Sequence, residues 1–93
     1  HWNDPITSLG MTTNGYFMLA QKVVALAKQH KNKKIVFVLE GGYDAANVAN
    51  GAEATFHALT KSPRRNEAED LSPHEEPDCE SRIEEIRKWH GFL

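Results

Sequence analysis

The chain has 93 residues, 40% of them hydrophobic and 26% charged, a balance that fits one folded domain at most and excludes a low-complexity or membrane-spanning polypeptide. A formal net charge of -2 without a clustered basic face excludes a direct nucleic-acid footprint, so chromatin would be reached only through a partner or a substrate tail. A single cysteine, Cys79, excludes an internal disulfide and a paired-cysteine zinc site, and fits a reducing, intracellular compartment.

No apolar run approaches the roughly 18 residues of a membrane span, so no membrane partner is expected, and the first residues lack the basic-then-apolar layout of a signal peptide. The chain opens at His1 and not at a methionine, as expected of a stretch from within a longer polypeptide.

Residues 1–11 hold Asp4-Pro5, small polar residues and Gly10 without a sustained period, which predicts a loop. Thr12 is a fitting N-cap, and Tyr16, Leu19, Ala20, Val23, Leu26 and Ala27 then recur at helical spacing, predicting a helix of about four to five turns that ends near His30. Ile35, Val36, Phe37, Val38 and Leu39 follow without alternation, β-branched at three of five positions and bounded by charge. Such a run predicts a strand buried on both faces, as in a parallel sheet. Gly41-Gly42 ends it. Asp44 can cap a second helix, in which Val48, Ala52, Phe56 and Leu59 share a face.

The order helix, strand, glycine turn, helix is one unit of an α/β sheet. A lone strand cannot complete that sheet, because each unpaired buried amide or carbonyl costs about 1–3 kcal/mol. Its neighbours are therefore expected from residues outside this sequence or from another chain. Residues 61–79, with three prolines and the acids Glu67, Glu69, Asp70, Glu75, Glu76 and Asp78, read as a linker. Residues 80–93 then predict an amphipathic helix. Ser81-Arg82-Ile83-Glu84 matches a capping box, Ile83, Ile86 and Trp89 form one face, and Gly91 can end the helix, which is expected to dock on its own domain.

The chemistry-bearing spot is Glu40-Gly41-Gly42-Tyr43-Asp44, directly after the expected strand. In open α/β sheets ligands bind outside the carboxyl ends of the strands, and glycines there let backbone and ligand approach closely. Position alone leaves two readings, a ligand edge or a tight turn with Tyr43 filling a gap. The five histidines are scattered, with no His-x-x-His or His-Glu-x-x-His spacing, so no complete zinc site is expected within the chain.

Asp4-Pro5-Ile6, Leu9-Gly10-Met11-Thr12-Thr13-Asn14-Gly15-Tyr16 and Val36-Phe37-Val38-Leu39-Glu40-Gly41-Gly42-Tyr43-Asp44, in that order, resemble the closing third of the catalytic domain of class II histone deacetylases. The likeness covers residues 1–60. It implies the arginase-like and deacetylase-like α/β fold and a zinc-dependent amidohydrolase that removes acetyl groups from lysine side chains of histones or other proteins, in nucleus or cytoplasm. In such an enzyme zinc polarises the acetyl carbonyl and activates a water. The resemblance further implies that Tyr43 donates its hydroxyl to the developing oxyanion and that Gly41 and Gly42 line the acyl-lysine channel.

The family's Asp-x-His zinc ligands and His-His base pair have no counterpart in this sequence. Its later aspartate ligand would fall just before His1, and Asp4 is expected to structure a loop and not to bind metal. The expectation is thus a fragment, inactive alone, that needs the remainder of its domain. The alternative is a non-catalytic interaction module derived from such a domain, recruiting a partner through its last helix.

Overall fold

A computed structural model describes residues 1–31, 33–63, 71–75 and 77–91. Among them are three helices, α1 Thr13–Gln29, α2 Ala45–Thr60 and α3 Cys79–His90, and no strand. Asn32, the arginine pair Arg64-Arg65, and the acids Glu67, Glu69, Asp70 and Glu76 lie outside the described residues.

Helix α1 begins where its sequence asks it to. The Thr12 side chain accepts a hydrogen bond from the Gly15 N–H at 2.9 Å, satisfying one of the donors that a helix start leaves open. In α2, Asp44 caps in the same way, taking the Asn47 N–H at 2.8 Å. Small residues make the contact between the two: Thr13 and Ala20 of α1 and Ala54 and Ala58 of α2 are buried, and Gly51 leaves room for the Tyr16 ring. Short side chains let helix axes approach closely, but they remove little apolar area from water.

The second face of α2 has a different surrounding. Val48, Ala52, Phe56 and Leu59, expected to share a face, line a cavity of about 540 Å³ together with Phe37 and Leu39. On α1, Leu19 and Leu26 are exposed although they belong to the predicted stripe. The two-helix contact thus buries one stripe of each helix and leaves the bulkier apolar residues uncovered.

The expected buried strand does not form. Residues 35–39 are assigned to no strand, and Val36 and Val38 are 83% and 81% exposed. The physical reason is the one that limits any single strand: with no second segment to receive its N–H and C=O groups, the run has no ladder and no layer to cover either face. The radius of gyration, 15.3 Å, exceeds the roughly 12 Å expected of a compact chain of this length.

Helix α3 corrects two further expectations. Its N-cap is Asp78, whose carboxylate accepts from the Glu80 and Ser81 backbone N–H groups, so the helix starts at Cys79 and not through a capping box at Ser81. It also packs on neither α1 nor α2. Gly91 ends it in the left-handed conformation, with its N–H turned back to Arg87 and Lys88. Arg82 lies over the Trp89 ring, 5.2 Å from its centroid, and pairs with Glu85, so the interactions of the helix surface are largely its own.

Candidate functional site

The turn before α2 is shaped by its two glycines. Gly41 and Gly42 both have positive φ, 74° and 95°. At Gly42 the need for glycine is double, since a Cβ there would also run into Cγ2 of Val48. At Gly41 a Cβ would sit 3.8 Å from the Tyr43 ring and hydroxyl, in ordinary contact. Thus Gly42 faces the body of α2 and Gly41 faces the tyrosine.

Tyr43 follows as the residue before the N-cap, 55% exposed. Its hydroxyl has no hydrogen-bond partner among the described residues. Its backbone N–H, which precedes the helical ladder, donates to Oδ2 of Asp4 at 3.0 Å across 39 residues of sequence. The other oxygen of the same carboxylate, Oδ1, accepts from the Ile6 and Thr7 N–H groups, each at 2.9 Å. A second tie runs beside it, from the Asn47 side-chain amide to the Asn3 carbonyl at 3.3 Å. The loop is also closed on itself by the Trp2 N–H on the Met11 carbonyl.

These donors lower the Asp4 pKa from 3.8 to about 2, the Ile6 N–H being the largest cause, followed by those of Tyr43 and Thr7, all of which favour the ionised carboxylate. Asp4 is expected from the sequence to structure its loop, and its bonds to the Ile6 and Thr7 N–H groups do so. The reach to Tyr43 was missed, because a contact spanning 39 residues leaves no local pattern.

Gly41 and Gly42 line the cavity beside α2, whereas Tyr43, the next residue, is not among the lining residues. Among the described residues, no group of three or more His, Cys, Asp or Glu could hold a metal ion. Asp4 has both oxygens engaged by backbone donors, and His57 pairs with Glu53 along α2 at 3.5 Å. The residues described therefore do not fit a zinc site by themselves.

The model of the histone deacetylase domain family matches residues 1–59, more than half of the chain. The chain belongs to the histone deacetylase family. It is 49% identical over 43 residues to a probable deacetylase of Archaeoglobus fulgidus, a stretch covering 46% of this chain and 12% of that protein. To histone deacetylase 8 of Arabidopsis thaliana it is 27% identical over 89 residues, 94% of this chain and 24% of the relative. To the chloroplastic histone deacetylase 14 of the same plant it is 37% identical over 59 residues, 63% of this chain and 14% of the relative. The chain thus spans a quarter or less of the length of these curated relatives. No solved structure matches it.

Proposed function

We propose that these residues work as the tyrosine-bearing rim of a complete lysine deacetylase domain, whose remaining segments supply the neighbouring strands, the zinc ligands and the catalytic base. The substrate class is an acetylated lysine side chain of a histone or another protein. The observation that carries this reading is the Leu39 to Tyr43 turn, in which Tyr43 stands exposed with an unengaged hydroxyl on a backbone tied at both sides. The exposed residues 36–39 and the apolar cavity beside α2 support it, since both have the character of a core awaiting further layers.

In this reading zinc, held by residues elsewhere in the domain, supplies Lewis-acid polarisation of the acetyl group. This chain's own contribution is the Tyr43 O–H. It donates a hydrogen bond to the acyl oxygen and gains strength as negative charge develops there, an effect worth about 2.7–4 kcal/mol for one such donor. Gly41 and Gly42 keep the adjoining channel wall free of side chains. The domain boundaries follow from the same reading: residues 1–60 belong to the catalytic domain, 61–79 connect, and 80–93 carry the last helix, in an intracellular protein of nucleus or cytoplasm.

The test is Tyr43→Phe in the complete domain, assayed on an acetyl-lysine peptide. Turnover is expected to fall by about a hundredfold or more, while substrate binding changes little. An unchanged turnover would remove the role assigned to the tyrosine.

One observation favours a second reading. Ile83, Ile86 and Trp89 of α3 are exposed along one side, the form of an anchor for a partner groove. A non-catalytic interaction module would use that helix, and its upstream sequence would lack metal ligands. Measured zinc content of the complete protein separates the two readings.

A further inference from the structure

Tyr43 follows two consecutive glycines with positive φ, and such a pair restricts the backbone less than any other two residues would. A hydroxyl at the end of that turn is only as well placed as the turn itself. Downstream, Asp44 fixes the chain by capping α2. Upstream of Tyr43 the glycines cannot do the same. Among the described residues, the other hydrogen bond that holds this residue comes from the Asp4 carboxylate.

We propose that Asp4 is a positioning residue for Tyr43, its carboxylate gripping the Tyr43 backbone N–H and so setting where the tyrosine leaves the glycine turn. The proposal rests on the reading of Tyr43 as the oxyanion donor and adds to it a cause for the donor's placement.

The geometry divides the carboxylate into an anchor and a grip. Oδ1 takes two backbone donors from its own loop, Ile6 and Thr7, which fixes the orientation of the carboxylate. That orientation aims Oδ2 at the Tyr43 N–H, 3.0 Å away. The Asn47 to Asn3 bond holds the same loop against the first turn of α2, so the loop moves with the helix that Tyr43 precedes. Catalytic groups tolerate little error, since a misplacement of about 1 Å can cost roughly a hundredfold in rate. Asp4 needs no contact with substrate or metal to act in this way.

The variants follow from the two oxygens. Asp4→Asn retains one acceptor. With that oxygen on the Ile6 and Thr7 donors, its NH₂ faces the Tyr43 N–H, donor against donor. Asp4→Ser can still turn its own loop through the hydroxyl but cannot reach Tyr43. Both are made in the complete deacetylase domain, alone and with Tyr43→Phe, and followed by turnover on an acetyl-lysine peptide, by hydrogen exchange at the Tyr43 amide and by thermal unfolding.

The expected result is a loss of about tenfold or more in kcat with KM changed little, faster exchange at the Tyr43 amide, and almost no further loss when Tyr43 is already phenylalanine. A full-sized Asp4 effect in the Tyr43→Phe background overturns the proposal, because Asp4 would then act on something else. A rate loss matched in both variants by an equal loss of folded protein also overturns it, leaving Asp4 as a stabiliser only. A slow Tyr43→Phe beside an unaffected Asp4→Asn overturns the positioning role alone, whereas a Tyr43→Phe that turns over normally overturns the tyrosine's role and this one with it.

Discussion

Gly42 and Asp4 show how single residues hold this turn, and each makes a separate prediction. At Gly42 the positive φ and the crowding by Val48 are independent obstacles to a side chain. Gly42→Ala is expected to lower the stability of the complete domain by about 1–3 kcal/mol, read as a shifted urea midpoint. Adding Val48→Ala should relieve the crowding but leave the backbone strain, about 1 kcal/mol. At Asp4 the folded state lowers the pKa from 3.8 to about 2. The sign follows: a depressed carboxylate contributes stability that is complete above the unfolded value near 3.8 and is lost as pH falls towards 2. Exchange at the Tyr43 amide is therefore expected to quicken across that interval, and the Asp4→Asn variant should lack the transition. Of these features the sequence displayed the glycine pair and the loop around Asp4-Pro5, both local signals. It could not display the second oxygen's partner.

The three helices announced themselves to different degrees because different forces hold them. Thr12 and Asp44 cap helices through contacts three residues away, so a linear pattern reveals them. The inner face of α1 was legible in part: Ala20 of the predicted stripe is buried, as is Thr13 outside it, whereas Leu19 and Leu26 of the same stripe are exposed. Periodicity reports what a helix can bury, and the partner at hand decides what it does bury. In α3 the capping-box pattern at Ser81 lost to Asp78, which reaches the Glu80 and Ser81 N–H groups and lets the helix begin three residues earlier. The Ser81 hydroxyl and the backbone N–H groups hold the Asp78 pKa below its ordinary value. Asp78→Ala should thus weaken the helix, visible as smaller carbon-13 secondary shifts over residues 79–90. Acidification through the carboxylate range should produce the same change in the unaltered chain, since the cap is stabilising only while it is ionised. A helix of 12 residues is marginal without tertiary contacts, which sharpens both effects.

At the scale of the whole molecule, the small buried contact of α1 and α2 is set against long runs of uncovered apolar side chains. Among the described residues only alanines and a threonine are buried, and short side chains contribute little transfer energy. The isolated chain is expected to unfold without a sharp thermal transition by circular dichroism, whereas the complete domain should melt cooperatively. Residues 35–39 add a kinetic hazard. Five consecutive apolar residues, uncharged and largely exposed, match the composition of segments that stack between chains. Val38→Lys is expected to delay thioflavin-positive aggregation of the isolated chain several-fold. If residues 35–39 form the covered strand proposed for the complete domain, the same substitution should abolish folding there. The unalternated run predicted a buried strand of an α/β sheet, and of that unit the two flanking helices form while residues 35–39 remain without a strand partner among the described residues.

The grip between Asp4 and Tyr43 joins the beginning of this stretch to its middle, and both ends of it lie within the same piece of chain. A deacetylase domain divided into two polypeptides upstream of residue 1 would carry the tyrosine and its holder together on one partner, so that reassembly need only bring the two pieces into register. Divided in the loop between Asp4 and Thr12, the same domain would have to rebuild that bond across a chain break each time it assembled. The first cut is the one expected to restore turnover on mixing.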